Sequence, residues 1–204
     1  MKRCLCALIL VIACSFDLTN AAEGEHSGFL FRMNLGPSFV NYVETGSSYQ
    51  DDKYTGDGIA FMLSLGGSFN PNVSGGFEIN VSQVANPSIL YQGVKLATTT
   101  GITLVSVSMG PMISYNIMPI NIYFTGCVGL GQFQLHDSSN NLLLASSKHG
   151  LSLSFSLGKE WHVSKSWGLG VSTNYQYITT EDVNCTFCKI SGSSASLLFS
   201  ATYN

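Results

Sequence analysis

The sequence predicts an all-β fold, an eight-stranded antiparallel up-and-down transmembrane β-barrel. Bulky apolar residues alternate with small polar ones along stretches of about a dozen residues, the period of a strand with two unlike faces. The face opposite the bulky residues carries Ser and Gly rather than charge. The connections between stretches switch regularly between long and short, as an up-and-down order requires.

Composition narrows the class before any element is placed. Of 204 residues, 45% are hydrophobic and 10% charged. An ordinary soluble domain carries about 25% charged residues. So apolar a chain is neither a disordered acidic nor a disordered basic segment. Nine Lys and Arg against twelve Asp and Glu give a net charge of −3. The lack of a basic cluster beyond Lys2-Arg3 argues against a nucleic-acid binder. No run past the N-terminus reaches the roughly 18 apolar residues of a membrane-spanning helix.

The alternating stretches follow in order. The first, 29–41, sets Phe29, Phe31, Met33, Leu35 and Phe39 against Arg32, Asn34, Gly36 and Ser38. The second, 58–70, sets Ile59, Phe61, Leu63, Leu65 and Phe69 against Ala60, Ser64, Gly66 and Ser68. The third, 73–84, sets Phe77, Ile79 and Val81 against Glu78, Asn80 and Ser82. The fourth, 101–115, sets Val105, Val107, Met109 and Ile113 against Ser106, Ser108, Gly110 and Ser114. In the fifth, 120–134, Gly126, Gly129 and Gly131 blur the register. The sixth, 150–163, sets Leu151, Leu153, Phe155 and Leu157 against Ser152, Ser154, Ser156 and Gly158. After the turn Ser164-Lys165-Ser166, the seventh, 167–178, sets Trp167, Leu169, Val171 and Tyr175 against Gly168, Gly170, Ser172 and Asn174. Two such runs across so short a turn make an antiparallel hairpin. The eighth, 193–203, sets Ala195, Leu197, Phe199 and Tyr203 against Ser196, Ser200 and Thr202, with Leu198 breaking the polar row.

The long connections are 42–57, 85–100, 135–149 and 179–192, and the short ones 71–72, 116–119 and 164–166. Long loops therefore gather at one end of the sheet and tight turns at the other. Pro71 and Pro119 fall in or beside tight turns, where a missing N–H costs little.

Which face is buried decides the environment. A soluble sandwich packs its large apolar face inward and shows charged residues to water. Here the opposite face is Ser and Gly, which suit the crowded interior of a narrow eight-stranded barrel. The bulky face then points outward, and lipid is the solvent that tolerates it. Unpaired strand edges in hydrocarbon cost several kcal/mol each, so the sheet must close on itself. Aromatic residues near strand ends, such as Trp161, Trp167, Tyr175, Tyr177 and Tyr203, have the distribution of interfacial girdles. Lys159, on the apolar face near a tight turn, can snorkel to the headgroups. The competing reading, a secreted β-sandwich, would bury Phe155, Leu157, Leu169 and Val171 between two sheets.

Residues 1–22 read as a signal peptide: a positive Met1-Lys2-Arg3, an apolar Cys4-to-Ala13 segment, and small residues at Ala21 and Ala22. The barrel domain is then 23–204. Val11-Ile12-Ala13-Cys14 also resembles a bacterial lipobox, which would make Cys14 a lipidated N-terminus. Either reading takes the chain out of the cytoplasm.

The hairpin GLSLSFSLGKEWHVSKSWGLGVSTNYQYI (150–178), the closing SASLLFSATYN (194–204) and the opening FLFRMNLGPSFV (29–40) carry a family resemblance. The chain resembles the small eight-stranded outer-membrane β-barrels of diderm bacteria. That group contains outer membrane proteins A (membrane domain), X and W and the opacity-type adhesins. The resemblance implies a C-terminal aromatic, and here Tyr203 is penultimate. It implies no catalytic signature.

Arg32, Glu78 and Glu160 are the charged residues that the register places inside. A charge in a dry lumen must be paired, and the resemblance implies a structural ion-pair plug. The competing role is a proton or ion path. His136-x-Ser138 resembles part of the Ser-His-Glu arrangement of outer-membrane lipid A deacylases. A base beside a hydroxyl is the minimum for a serine nucleophile. The next acid after Asp137 is Glu160, which the register places in the lumen. Cys185-x-x-Cys188 reads as a small loop disulfide. The alternative is a zinc site completed by His136 and His149, since two cysteines alone cannot supply four ligands. Cys127 reads as a small buried residue.

The expected function is structural or surface-interactive, adhesion or loop display, by a monomer without catalysis, cofactor or metal. The expected partners are outer-membrane lipid and, through the long loops, host or envelope proteins, not nucleic acid. Two alternatives stand beside it. Lumen-facing Leu30, Met62, Met112 and Leu198 would mark a conduit for a small apolar ligand. The His-x-Ser triplet would serve a lipid-modifying hydrolase.

Overall fold

The computed structural model describes residues 28–46, 51–91, 94–140, 142–183 and 188–203. The expected signal peptide, Cys14 and Cys185 lie outside the described residues. The strands are β1 (Phe29–Thr45), β2 (Asp51–Asn70), β3 (Val73–Ala85), β4 (Ser88–Tyr91), β5 (Val94–Thr98), β6 (Ile102–Ile117), β7 (Ile122–Asp137), β8 (Leu143–Ser146), β9 (Gly150–His162), β10 (Trp167–Glu181) and β11 (Lys189–Tyr203). Eight of them close a ring, each antiparallel to the next, in the order β1-β2-β3-β6-β7-β9-β10-β11 and back to β1. Closure runs along nearly the whole of β1 and β11, from Phe31 opposite Tyr203 to Thr45 opposite Lys189. No sheet edge is left within the ring, the condition for crossing hydrocarbon.

The tight-turn ends of the strands lie close to where the alternation places them, as do the loop ends of β3, β6 and β9, whereas the other loop ends run further. β2 begins at Asp51 rather than 58, β11 at Lys189 rather than 193, and β10 runs to Glu181 rather than 178. Three further strands, β4, β5 and β8, occupy segments read as loop. Hydrophobic alternation marks a strand only where its two faces meet unlike media. Above the lipid the outward face turns polar and the inward row turns apolar, so the pattern changes phase, while backbone pairing continues through it. At the other end, residues 118–120 form a 3-10 turn opening on Pro119, and Asn121 closes it in the left-handed region at φ 50°.

The side-chain faces settle the choice of environment. Phe155 is 53% exposed on the outer wall, whereas Ser156 beside it is 1% exposed. Leu157 and Leu169 are likewise exposed, which overturns the sandwich reading. The outward apolar run is Phe29 to Phe39 on β1, Ile59 to Phe69 on β2, Ile122 to Leu130 on β7 and Ala195 to Tyr203 on β11. These runs match the roughly 9–11 residues that a tilted strand needs to cross the hydrocarbon. The next outward positions, Asn41, Asp57, Gln132 and Ser193, are polar. At the tight-turn boundary Trp167 meets Tyr203 edge-on, with ring centroids 5.3 Å apart. Lys159 escapes the band by donating to the Ile120 carbonyl at 3.1 Å, its ammonium 5.9 Å from the Trp161 ring.

Candidate functional site

The interior of the ring is layered. Near the tight turns, Arg32 Nε donates to Glu160 Oε1 at 2.9 Å and to Thr202 Oγ1 at 3.2 Å, and Thr202 donates to the same carboxylate oxygen at 2.6 Å. The guanidinium carbon lies 3.7 Å from the centroid of the Tyr123 ring. The local sequence makes this fit. Gly158 stands opposite Tyr123 in the β7–β9 register and leaves room for its ring, since a Cβ there would overlap it. Arg32 and Glu160 are almost fully buried, so each meets the other's charge in place of water.

The middle layer is held by hydroxyls and amides reaching across the lumen. Glu78 accepts from Ser154 at 2.8 Å and from Ser64 at 3.3 Å. Asn80 donates to Asn174 at 3.1 Å, and Asn174 donates to Ser156 at 2.9 Å. Gln176 bonds Ser108 and accepts from Ser194, while Ser196 donates to Ser38. The structure therefore brings Arg32 and Glu160 together and places Glu78 in the same interior on serine donors.

The lumenal apolar residues fall into separate clusters. Leu30 clusters with Met112 and Cys127, and Met62 clusters with Ala60 and Leu198. The four residues thus fall into two groups.

Sequence reasoning missed the third apolar group. Val40, Tyr42, Val84, Leu104, Phe133 and Ile178 pack together at the loop end of the lumen, with Tyr54, Leu135 and Ile190 against them. Tyr42 and Phe133 meet edge-on at 4.3 Å. Gly192 leaves space for the Tyr42 ring. The signal was present: along strand after strand the inward row changes from Ser, Gly and Asn to large apolar residues at its loop end. Above this cluster a small open recess of about 70 Å³ is lined by Tyr42, Glu44, Leu104, Phe133, Leu135 and Asp182 among others.

The His-x-Ser triplet lies on the outside. Ser138 Oγ shares a 2.8 Å hydrogen bond with Thr103, and His136 Nε2 contacts Gln134 Oε1 at 3.1 Å. Glu160 is engaged with Arg32 in the lumen. The three groups of a hydrolytic triad are thus spread over the outer wall and the interior. Asp137 accepts two bonds from Ser139, which hold its carboxyl below the usual range. Above the apolar band, Lys148 donates to Glu181 at 2.9 Å and lowers that carboxyl in the same way.

Cys127 is buried and free, and Cys188 is disulfide-bonded. No group of three or more His, Cys, Asp or Glu suited to a metal occurs among the described residues.

A closed eight-stranded ring with its apolar face outward is an architecture that recurs in known proteins. The family described as "Outer membrane protein beta-barrel domain" matches residues 6–199. The chain belongs to that family. Among solved structures, this outer-membrane barrel is similar to Neisserial surface protein A, NspA. The two have a TM-score of 0.55 and 13% identity, over 86% of this chain and 96% of that one. It is also similar to outer membrane protein OprG from Pseudomonas aeruginosa, with a TM-score of 0.53 and 10% identity over 90% of this chain and all of that one. At these identities the likeness is one of fold. No curated protein sequence matches the barrel.

Proposed function

We propose that this outer-membrane β-barrel acts at the cell surface as a rigid display platform. It engages a host or envelope protein through its loop end and neither conducts nor catalyses. One observation carries the reading: the lumen is filled at both ends while the strands continue beyond the apolar band. The Arg32–Glu160 group fills the turn end, and the cluster around Tyr42 and Phe133 fills the loop end. Beyond the band β4 pairs with β2, β5 with β4, and β8 with β7. Paired strands hold surface side chains at fixed spacing, which favours recognition over passage. Short turns face the periplasm and longer loops the outside in such barrels, so this end is the exposed one. The barrel works as a monomer, since its own closure already satisfies every strand edge in the ring. Arg32, Glu78 and Glu160 serve as internal struts, and Cys188 pairs with Cys185 to fix the last loop.

The test combines two measurements. The purified barrel in a planar bilayer should show no discrete conductance steps. Cells displaying it should adhere to a surface coated with host or envelope protein, and lose that adherence when the loop segments 86–101 and 138–149 are replaced by short turns. Steady channel openings, or adherence indifferent to the loops, would refute the reading.

A further inference from the structure

The outer wall carries an open groove just above the apolar band, where β9, β10 and β11 lie side by side. It measures about 600 Å³ and is lined by Lys148, His149, Thr179, Glu181 and Lys189 among others. Directly beneath it the wall is apolar. Leu151 stands opposite Thr179 in the β9–β10 register, and Leu153 opposite Tyr177. Leu151, Leu153 and Tyr177 are all exposed on the outer face. The outward apolar run of β10 ends at Tyr177, and Glu181 lies four residues further along the same row. That is about 13 Å of strand, which on a tilted strand reaches into the layer of lipid headgroups.

The segment that carries Lys148 is tied to β10. Lys148 N donates to the Glu181 carbonyl at 2.9 Å, and Thr180 Oγ1 donates to the Lys148 carbonyl. Lys148 Nζ donates to Glu181 Oε2 at 2.9 Å. Lys189 stands opposite Glu181 in the β10–β11 ladder and belongs to neither salt bridge of the described residues. One carboxylate therefore serves two ammonium groups, and the groove keeps a positive charge. Asp182, the next acid in sequence, lines the mouth recess instead. The balance differs elsewhere on the rim. Asn41 and Gln132 are the first polar outward residues of β1 and β7, and Lys53 on β2 shares its outward row with Asp57.

We propose that this groove seats the phosphate of an anionic membrane lipid. Lys189 and Lys148 face the phosphate, Thr179 offers it a hydroxyl, and the acyl chains lie on Leu151 and Tyr177. A lysine beside an anionic lipid surface strengthens the attraction about five-fold, and a lysine meets phosphate as a point charge without a fixed geometry. The charge count chooses a lipid over a soluble polyanion. A surplus of one positive charge holds one phosphate weakly, and the apolar wall beneath adds the rest through the chains. A polyanion would meet the Glu181 carboxylate and gain nothing from that wall. The seat goes beyond the part played by the loops in surface recognition, because it turns one side of the barrel toward phosphate-bearing lipid.

The experiment uses the folded full chain in dodecylmaltoside, with native mass spectrometry as the readout. The probes are two lipids of identical chains, dioleoyl phosphatidylglycerol and dioleoyl phosphatidylcholine. At low salt the phosphatidylglycerol should occupy one preferred site, about five- to ten-fold tighter than the phosphatidylcholine. Lys148→Gln with Lys189→Gln should bring the two lipids to equal affinity. Lys53→Gln, which removes a lysine from the row of Asp57, should leave the preference as it was. Glycerol phosphate in large excess should displace neither lipid, because it has no chains to lay on the wall. Each variant must keep its heat-dependent gel shift, and a double variant that loses it is replaced by Lys189→Gln alone, which should narrow the preference. Equal binding of the two lipids by the native chain, an unchanged preference in the lysine variants of the groove, an equal loss in Lys53→Gln, or displacement by glycerol phosphate would overturn the proposal.

Discussion

Gly158 faces Tyr123 across the β7–β9 pair, and the missing Cβ is the space that the Tyr123 ring occupies. That ring in turn carries the Arg32 guanidinium on its face. A glycine on one wall thus positions the buried cation. Gly158→Val should push the ring off its seat and destabilise the barrel by about 1–3 kcal/mol, the usual cost of overpacking. Urea unfolding in lipid vesicles, followed by tryptophan fluorescence, measures it. A midpoint equal to that of the native chain would show that the ring has other room.

Arg32 and Glu160 should behave as a coupled pair. Removing one partner leaves a buried charge unmatched, at a cost of about 3–5 kcal/mol. Arg32→Met and Glu160→Met should each lower the unfolding midpoint, and the double variant should recover most of the loss. Simple addition of the two losses would mean that the groups do not interact.

Glu78 should respond differently. Its hydrogen bonds come from Ser64 and Ser154, and it is in neither salt bridge of the described residues. Glu78→Gln keeps an acceptor for one hydroxyl and removes the need to bury a charge. The expected loss is under about 1.5 kcal/mol, well below that of Glu160→Gln. Equal losses for the two variants would assign Glu78 a direct part in balancing Arg32.

Much of the fold was legible in the sequence, and the boundary of legibility is physical. Leu151 to Leu157 and Trp167 to Tyr175 alternate cleanly because lipid lies on one side and a packed interior on the other. Lys53 to Asp57 and Lys189 to Ser193 are strand as well, but there Tyr54 and Ile190 pack against the mouth cluster while Asp57 and Ser193 face outward, so the alternation changes phase. The interior charges were readable from parity along each strand, since Arg32, Glu78 and Glu160 interrupt rows of Ser and Gly. Their pairing was not readable, because it depends on which strands meet across the lumen. The mouth cluster escaped for a related reason. Tyr42, Leu104 and Phe133 are far apart in sequence, and Tyr42 and Phe133 lie at or beyond the ends of recognisable runs.

Thiol chemistry offers a separate check on burial. Cys127 is free and interior, and Cys188 is bonded. A maleimide reagent should label none of the cysteines of residues 23–204 in the folded, unreduced protein. It should label one after unfolding without reductant, and three after unfolding with reductant. Labelling of Cys127 in the folded barrel would indicate an open lumen. Three labels without reductant would remove the proposed pairing of Cys185 with Cys188.

Everything turns on the outward direction of the apolar wall, and lipid-borne quenching reads that direction. Trp161 and Trp167 are replaced by Phe, and a lone reporter is introduced as Phe155→Trp in vesicles of lipids brominated on their acyl chains. The account predicts strong quenching that deepens as the bromine is moved toward the bilayer centre, with no quenching by aqueous iodide. A reporter at 155 that is untouched by brominated acyl chains would contradict it.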